Sequence, residues 1–301
     1  MTEIAISKRV RPKTKTYAVR WVARKSVQRV LTHIFLYVVL SILAALFSIP
    51  LVWMISTSFK SLQQLDVWPP VWIPNPIVWQ NYPNALKFLP FGRYALNTII
   101  ITALALMGTL LSCPLVAHGF ARIRFPGRDA LFIVLISTIM LPGAVRLIPT
   151  YLMYEKIGWL NTYLPLVVPA FFGSPFFIFL LRQYFRTFPE DLADAARIDG
   201  ANELGILYRV FLPNAGPALA VVAIFSFQAH WNDFVGPLIY LNKESMRTIS
   251  LGLYYFRAYE GPTNYGQMMA AASMTTVPIL ILFALFQRHF IQGVALTGIK
   301  G

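Results

Sequence analysis

Residues 94–121 read YALNTIIITALALMGTLLSCPLVAHGFA, a run without one Asp, Glu, Lys or Arg. A helix rises 1.5 Å per residue, so about 20 apolar residues cross a hydrocarbon layer about 30 Å thick. This run is long enough. Four more charge-free runs qualify: Ile34–Phe59, Gly158–Leu181, Val210–Asn232 and Gly261–Gln287. A sixth, Ala130–Val145, is shorter and needs Asp129 and Arg146 at the interfaces, with Arg146 reaching outward to water. A re-entrant hairpin is the alternative for that segment.

The totals agree with the runs. Of 301 residues, 57% are hydrophobic and only 13% charged, where soluble domains carry roughly one quarter charged residues. The expected fold is an all-α integral membrane protein of six helices, spanning about 34–59, 94–121, 129–147, 160–181, 212–235 and 265–287. A basic tail (1–33) precedes one membrane domain (34–290), and a short tail (291–301) follows it. No internal repeat, low-complexity segment or separate soluble domain stands out.

The net charge is +14, and Lys8, Arg9, Arg11, Lys13, Lys15, Arg20, Arg24, Lys25 and Arg29 all precede the first apolar run. Next to a spanning helix such an arm reads as an anchor on anionic headgroups rather than a nucleic-acid site. The expected partner is the bilayer, with no nucleic acid. The first apolar run, about 26 residues long, exceeds the roughly 7–15 of a signal-peptide core, so a cleaved leader is not expected. Cys113 is the one cysteine, which excludes an internal disulfide and a multi-cysteine metal site.

Lys and Arg in the connections set the expected orientation. The N-tail, ARIRFPGR (121–128), the loop Arg182–Arg209 and the C-tail hold about 18 of the 26, and the other three connections about eight. The positive-inside rule therefore places both termini in the cytoplasm. VWPPVWIPNPIVW, in the outer connection 60–93, suits a segment lying along headgroups. Pro114, Pro169 and Pro278 fall inside spans, where kinked helices around a cavity compete with ordinary membrane-helix proline.

One cytoplasmic passage is unlike the rest: loop 188–212, overlapping the stretch DLADAARIDGANELGILYRVFLP from Asp191 to Pro213. Pro189 suits a first helical residue. Glu190 and Asp191 favour the helix N-terminus, and Arg197 its other end. Gly200 supplies a left-handed stop, and Asn202 caps a second short helix running to about Leu212 before Pro213. Ala193, Ala195 and Ala196 keep the first helix thin enough to press into a groove on another protein, although a solvated helical loop has the same composition.

DAARIDGANELGILYRVFLPNAGP resembles the EAA loop of permeases from binding-protein-dependent ABC importers. Asp194-Ala195-Ala196 fill the first triplet of that pattern, with Asp in place of the usual Glu. Asp199-Gly200-Ala201 fill the second, and Leu212-Pro213 the closing apolar-Pro pair. Asn97-Thr98, RFPGR (124–128), WLNTYLPLVVP (159–169), WNDFVGPL (231–238) and FIQGVALTGIKG (290–301) are similar to the carbohydrate-uptake branch, in particular the second permease subunit of maltose-type importers. The resemblance implies a type I importer fold. It implies a coupling helix in an ATPase cleft, carried by Glu190, Asp191, Asp194, Ala195, Ala196, Arg197, Asp199, Gly200 and Ala201. It also implies tail contacts to the ATPase from Gly293, Gly298 and Lys300. The implied partners are a homologous second permease subunit, two ATP-binding cassette subunits and an extracytoplasmic solute-binding protein in a bacterial cytoplasmic membrane.

The sequence holds no G-x-x-x-x-G-K-[ST] loop, no H-E-x-x-H and no recognisable nucleophile triad. The expectation is a non-catalytic subunit, with ATP and Mg bound by partners. An autonomous secondary carrier would place several acids within spans, whereas Asp233 is the one serious candidate. Trp231, Asn232 and Asp233 with Gln228 and His230 form a polar, aromatic end to the fifth span that suits a sugar. An interfacial Trp with structural neighbours is the alternative. Tyr94 and Asn97 are further substrate-path candidates, and His118 reads as a packed or capping histidine. Outer cations Lys60, Lys87, Arg93, Arg146, Lys156, Lys243, Arg247 and Arg257 outnumber Asp66, Glu155, Glu244 and Glu260. That excess would favour an acidic saccharide or sugar phosphate over a neutral maltodextrin, or the docking of an acidic binding protein.

Overall fold

The structure is a computed structural model. It describes the backbone of residues 16–258 and 264–298 and the side chains of residues 28–256 and 264–287. Among the described residues every regular element is helical. The chain divides into residues up to Met54 and residues from Ile55 onward. The first unit is the greater part of α1 (Thr16–Ser58), a helix of 43 residues and about 65 Å. Two of its hydroxyls turn inward on their own backbone: Thr32 donates to the Gln28 carbonyl at 2.9 Å and Ser48 to Ala44 at 2.7 Å. Helix is already present at Thr16, the first described residue, within the basic stretch read from the sequence as a tail.

The second unit comprises α2 (Asn81–Phe88), α3 (Phe91–Arg122), α4 (Arg128–Ser137), α5 (Gly143–Lys156), α6 (Pro175–Phe185), α7 (Glu190–Ile198), α8 (Glu203–Asn214), α9 (Gly216–Trp231), α10 (Val235–Tyr240), α11 (Ile249–Ala258) and α12 (Tyr265–Gly298). The run quoted above is α3, and it is the hub. It packs against α6, α9, α11 and the short helical turns of 164–172. Close approach is possible because Gly108 faces Phe171: a Cβ there would lie 2.6 Å from the ring. Two buried clusters form at its ends. At the Arg122 end, Cys113 and Ala117 meet Leu181, Phe185, Ala193, Leu207, Phe211 and Val222. At the Phe91 end, Phe91 and Tyr94 meet Trp231, Ile249, Ala270 and Ala271.

Four described helices are long and apolar enough to span a membrane, or up to six if each bent pair counts as one span. The segment expected as a third span is such a pair. Its halves α4 and α5 meet at 100°, because Leu141 and Pro142 are extended and the chain re-enters helix only at Gly143. The expected fifth span bends likewise: α8 and α9 meet at 84° across Ala215. Within α8 a π-turn covers Leu207–Phe211, where the Leu212 N–H donates five residues back to Leu207. The helix thus carries Pro213 inside it and ends at Asn214, beyond the expected stop at Leu212. Pro213 offers no N–H to the carbonyl four residues earlier, and a wider turn is one way to redirect the freed acceptors.

Candidate coupling loop and substrate path

The loop 188–212 folds as two helices around Gly200. Pro189 sits just outside α7, with Glu190 and Asp191 in the first turn and Arg197 in the last, each charge favourable to its end of the helix dipole. Gly200 holds φ at +81°, and no atom lies within 4 Å of the Cβ it lacks. The need for glycine there is one of backbone conformation rather than space. Asn202 Oδ1 accepts the Gly205 N–H at 2.8 Å and caps α8, an arrangement typically worth about 1 kcal/mol.

Side chains tie this loop to α3. Arg197 donates to Asp194 at 2.7 Å and to Glu203 Oε1 at 3.1 Å, bridging α7 and α8. Those groups are roughly half exposed. Glu203 uses its other oxygen on His118 Nε2, 3.2 Å away on α3, whose side chain is buried with its ring edge-on to Phe211. One turn further along α3, Arg122 donates to the Phe185 carbonyl at 2.6 Å and also to Phe188, and its guanidinium lies over the Phe211 ring. The Glu203 carboxylate beside Arg197 holds that guanidinium's pKa up, so it stays charged at any working pH.

The three alanines separate. Ala193 is buried in this chain's own cluster and Ala196 packs against it, while Ala195 is exposed. Leu192, Ala195 and Ile198 remain as an exposed apolar strip; Ile198 is 87% exposed. Glu190, Asp191, Asp194 and Asp199 are exposed around it, as are Gly200 and, in part, Ala201. Sequence reading placed His118 as a packed histidine, which it is, but missed its bond to Glu203 and the grip of Arg122. His118 and Arg122 lie four apart on α3 and so share a face, but nothing in that spacing points to Glu203.

The substrate-path candidates also separate. Tyr94 and Asn97 are buried. Asn97 Nδ2 donates to the Ser245 and Arg247 carbonyls, both at 2.9 Å. Tyr94 lies so close to Gly252 that a Cβ there would meet its ring at 2.6 Å. Trp231 is buried too, stacked on Phe227 with Nε1 donating to the Thr275 carbonyl at 3.2 Å. These three hold helices together. Asp233 Oδ1 accepts the Gly236 N–H at 3.1 Å, at the start of α10. His230 Nδ1 lies 2.7 Å from the Ser226 carbonyl. Gln228 on α9 and Asn232, four residues later at its C-cap, are exposed.

Lys60, counted among the outer cations, is buried, its Nζ 3.3 Å from Thr57 Oγ1, and burial pushes its ammonium pKa down. Arg247 is half-buried, 3.9 Å from Glu244 and over the Tyr255 ring. Gly293 and Gly298 belong to the backbone of α12 and Arg257 to that of α11, but their surroundings, like Lys300 and Glu260, lie outside the described residues.

Comparison with known proteins follows the same line. The family described as binding-protein-dependent transport system inner membrane component matches residues 111–296. The probable ABC transporter permease protein YurM of Bacillus subtilis (strain 168) is 32% identical over 273 residues, covering 90% of this chain and 89% of that protein. The trehalose/maltose transport system permease protein MalG of Thermococcus litoralis is 31% identical over 282 residues, covering 91% of this chain and 99% of that one. A chain from the crystal structure of a bacterial ABC transporter that imports the acidic polysaccharide alginate superposes with a TM-score of 0.76. Its identity is 24%, over 86% of this chain and 96% of that one.

Proposed function

The chain belongs to the inner membrane components of binding-protein-dependent transport systems, and on that premise we propose that it forms half of the translocation path of an ATP-driven oligosaccharide importer. The reading places loop 188–212 and both termini in the cytoplasm. A homologous permease supplies the other half of the path, two ATP-binding cassette subunits supply the work, and an extracytoplasmic binding protein delivers the solute.

One observation carries the coupling role. Helix α7 is anchored on one side through Ala193 and offers Leu192, Ala195 and Ile198 on another, rimmed by Glu190, Asp191, Asp194 and Asp199. A partner cleft that is apolar at its floor and basic at its rim complements it. When ATP closes the cassettes, α7 is carried with its cleft. The Arg197–Glu203–His118 relay and the Arg122 contacts pass the displacement to α3, and the path changes from inward-open to outward-open. Shifting such an equilibrium decisively takes several kcal/mol of differential binding, on the order of 5 kcal/mol, which a melted joint would not transmit.

The sugar class is supported by relatives named for arabinooligosaccharides, diacetylchitobiose and trehalose/maltose. Gln228 and Asn232 are the proposed contacts, since amides donate to and accept from hydroxyls. Exposed Lys87, Arg93, Arg146, Lys156 and Lys243 against Asp66, Glu155 and Glu244 favour an acidic oligosaccharide over a neutral one within this reading. The test is the assembled complex in proteoliposomes, challenged with acidic and neutral saccharides while ATP hydrolysis is followed. Stimulation by one class supports the reading. Uphill uptake by this chain without any ATPase would overturn it.

A further inference from the structure

Where α3, the 124–128 turn and α6 converge, a cavity of about 620 Å³ is lined by Arg122, Arg124, Arg128, Arg182 and Arg186, a volume within the usual range for small-molecule sites. Asp129 and Glu190 are the carboxylates on its wall, so five cations face two anions. Internal bonds leave much of that charge unanswered. Arg128 donates to Asp129 at 3.1 Å. Arg182, itself buried, spends Nε on the Phe120 carbonyl at 3.1 Å and lies over the Phe132 ring at 3.8 Å. Arg122 Nε is buried without a hydrogen-bond partner. Arg124 and Arg186 are exposed.

A cluster of guanidiniums is matched by a phosphate, whose oxygens accept bidentate pairs. Its source is indicated by what adjoins the cavity. Arg128 and Asp129 of its wall open α4, and Leu131, Ile133 and Val134 within the next two turns of that helix are exposed apolar side chains. They offer an apolar wall for acyl chains next to a basic seat for a headgroup. We propose that this cavity binds the phosphodiester headgroup of an anionic phospholipid, with its chains laid along α4. The assignment to the cytoplasmic leaflet rests on the orientation proposed above; the cradle itself does not. The Arg122, Arg124 and Glu190 edge of the cavity also borders Asp194, Arg197 and Glu203, so a bound headgroup would brace the coupling loop from its membrane side.

The experiment is native mass spectrometry of the full-length chain, titrated with phosphatidylglycerol and separately with phosphatidylcholine, for the wild type and Arg124→Gln/Arg186→Gln. The expected result is one preferentially retained phosphatidylglycerol. Its affinity should fall on the order of thirtyfold in the double variant, about fivefold per charge removed. The single variants, each altering one exposed side chain, carry the test if the double variant elutes as aggregate. Equal retention of both lipids, or an unchanged preference in correctly folded variants, overturns the proposal. Displacement of the lipid by millimolar inorganic phosphate would assign the seat to a free anion and overturn it too. So would loss of cassette assembly in the variants with lipid binding intact, which would make the cluster a protein-docking surface. Cysteine labelling at position 127 separates the two readings: an exterior location with lipid binding retained removes the orientation and leaves the cradle.

Discussion

Replacing Gly200 isolates the joint between α7 and α8. Its φ is +81° and no atom lies within 4 Å of its missing Cβ, so an added Cβ meets no neighbour and its cost is conformational. The left-handed region costs an ordinary residue about 1–2 kcal/mol, and a β-branched one sits at the upper end or beyond. At about 2 kcal/mol the native turn of Gly200→Val loses roughly twentyfold to thirtyfold in population against relaxed alternatives. In those alternatives α7 points elsewhere and Arg197 no longer reaches Glu203. Gly200→Asn, whose side chain tolerates the left-handed region, should retain most of the turn. The assay is solute uptake per ATP hydrolysed in proteoliposomes holding the assembled complex. The valine variant should hydrolyse ATP with little stimulation by solute and little uptake, and the asparagine variant should resemble wild type. Full coupling in Gly200→Val would refute the rigid-joint argument. Equal damage from both substitutions would refute the backbone argument and point to a partner surface pressed against the glycine.

Glu203→Ala should destabilise the loop by about 1–3 kcal/mol, chiefly by leaving His118 Nε2 buried and unpaired; the half-exposed Arg197 pair adds at most about 0.5 kcal/mol after screening. A double-mutant cycle with His118→Ala, read by hydrogen exchange across residues 190–214, should recover most of that loss. Asn97→Ala removes two hydrogen bonds to the Ser245 and Arg247 carbonyls. It should lower thermal stability by about 1–3 kcal/mol with solute affinity unchanged; a selective loss of affinity would return Asn97 to the path. Gly236→Ala places a Cβ 2.4 Å from Asp233 Oδ2 and 2.7 Å from Leu166. It should cost about 1–3 kcal/mol by overpacking, measured by thermal denaturation, and Asp233→Ala in the same chain should relieve part of it.

Much of the fold was legible because charge-free length is a direct physical requirement of a spanning helix. The 94–121 run gave α3 within a turn at each end, and Gly200 between two amphipathic stretches gave the joint. Direction was not legible. Hydropathy counts apolar residues without recording that Leu141 and Pro142 turn the chain through 100°. Nor does composition say which side of α9 is packed, so Trp231 and Asn232 read as one cluster although one is buried and the other exposed. Lys60 looked like a surface charge for the same reason. His118 and Glu203 lie 85 positions apart, and nothing local announces that they meet.

The continuity of α3 has a mechanical corollary. His118 and Asn97 stand 21 positions apart on one unbroken helix, about 32 Å of rod. One is clasped by the joint below and the other by the strap at 245–247. On the coupling proposed above, a displacement entering at the histidine would reach the asparagine along this one helix, which carries Pro114 between them. In that reading the two clasped ends would move together, and a pause between them would have to be timed by the proposed partner subunits.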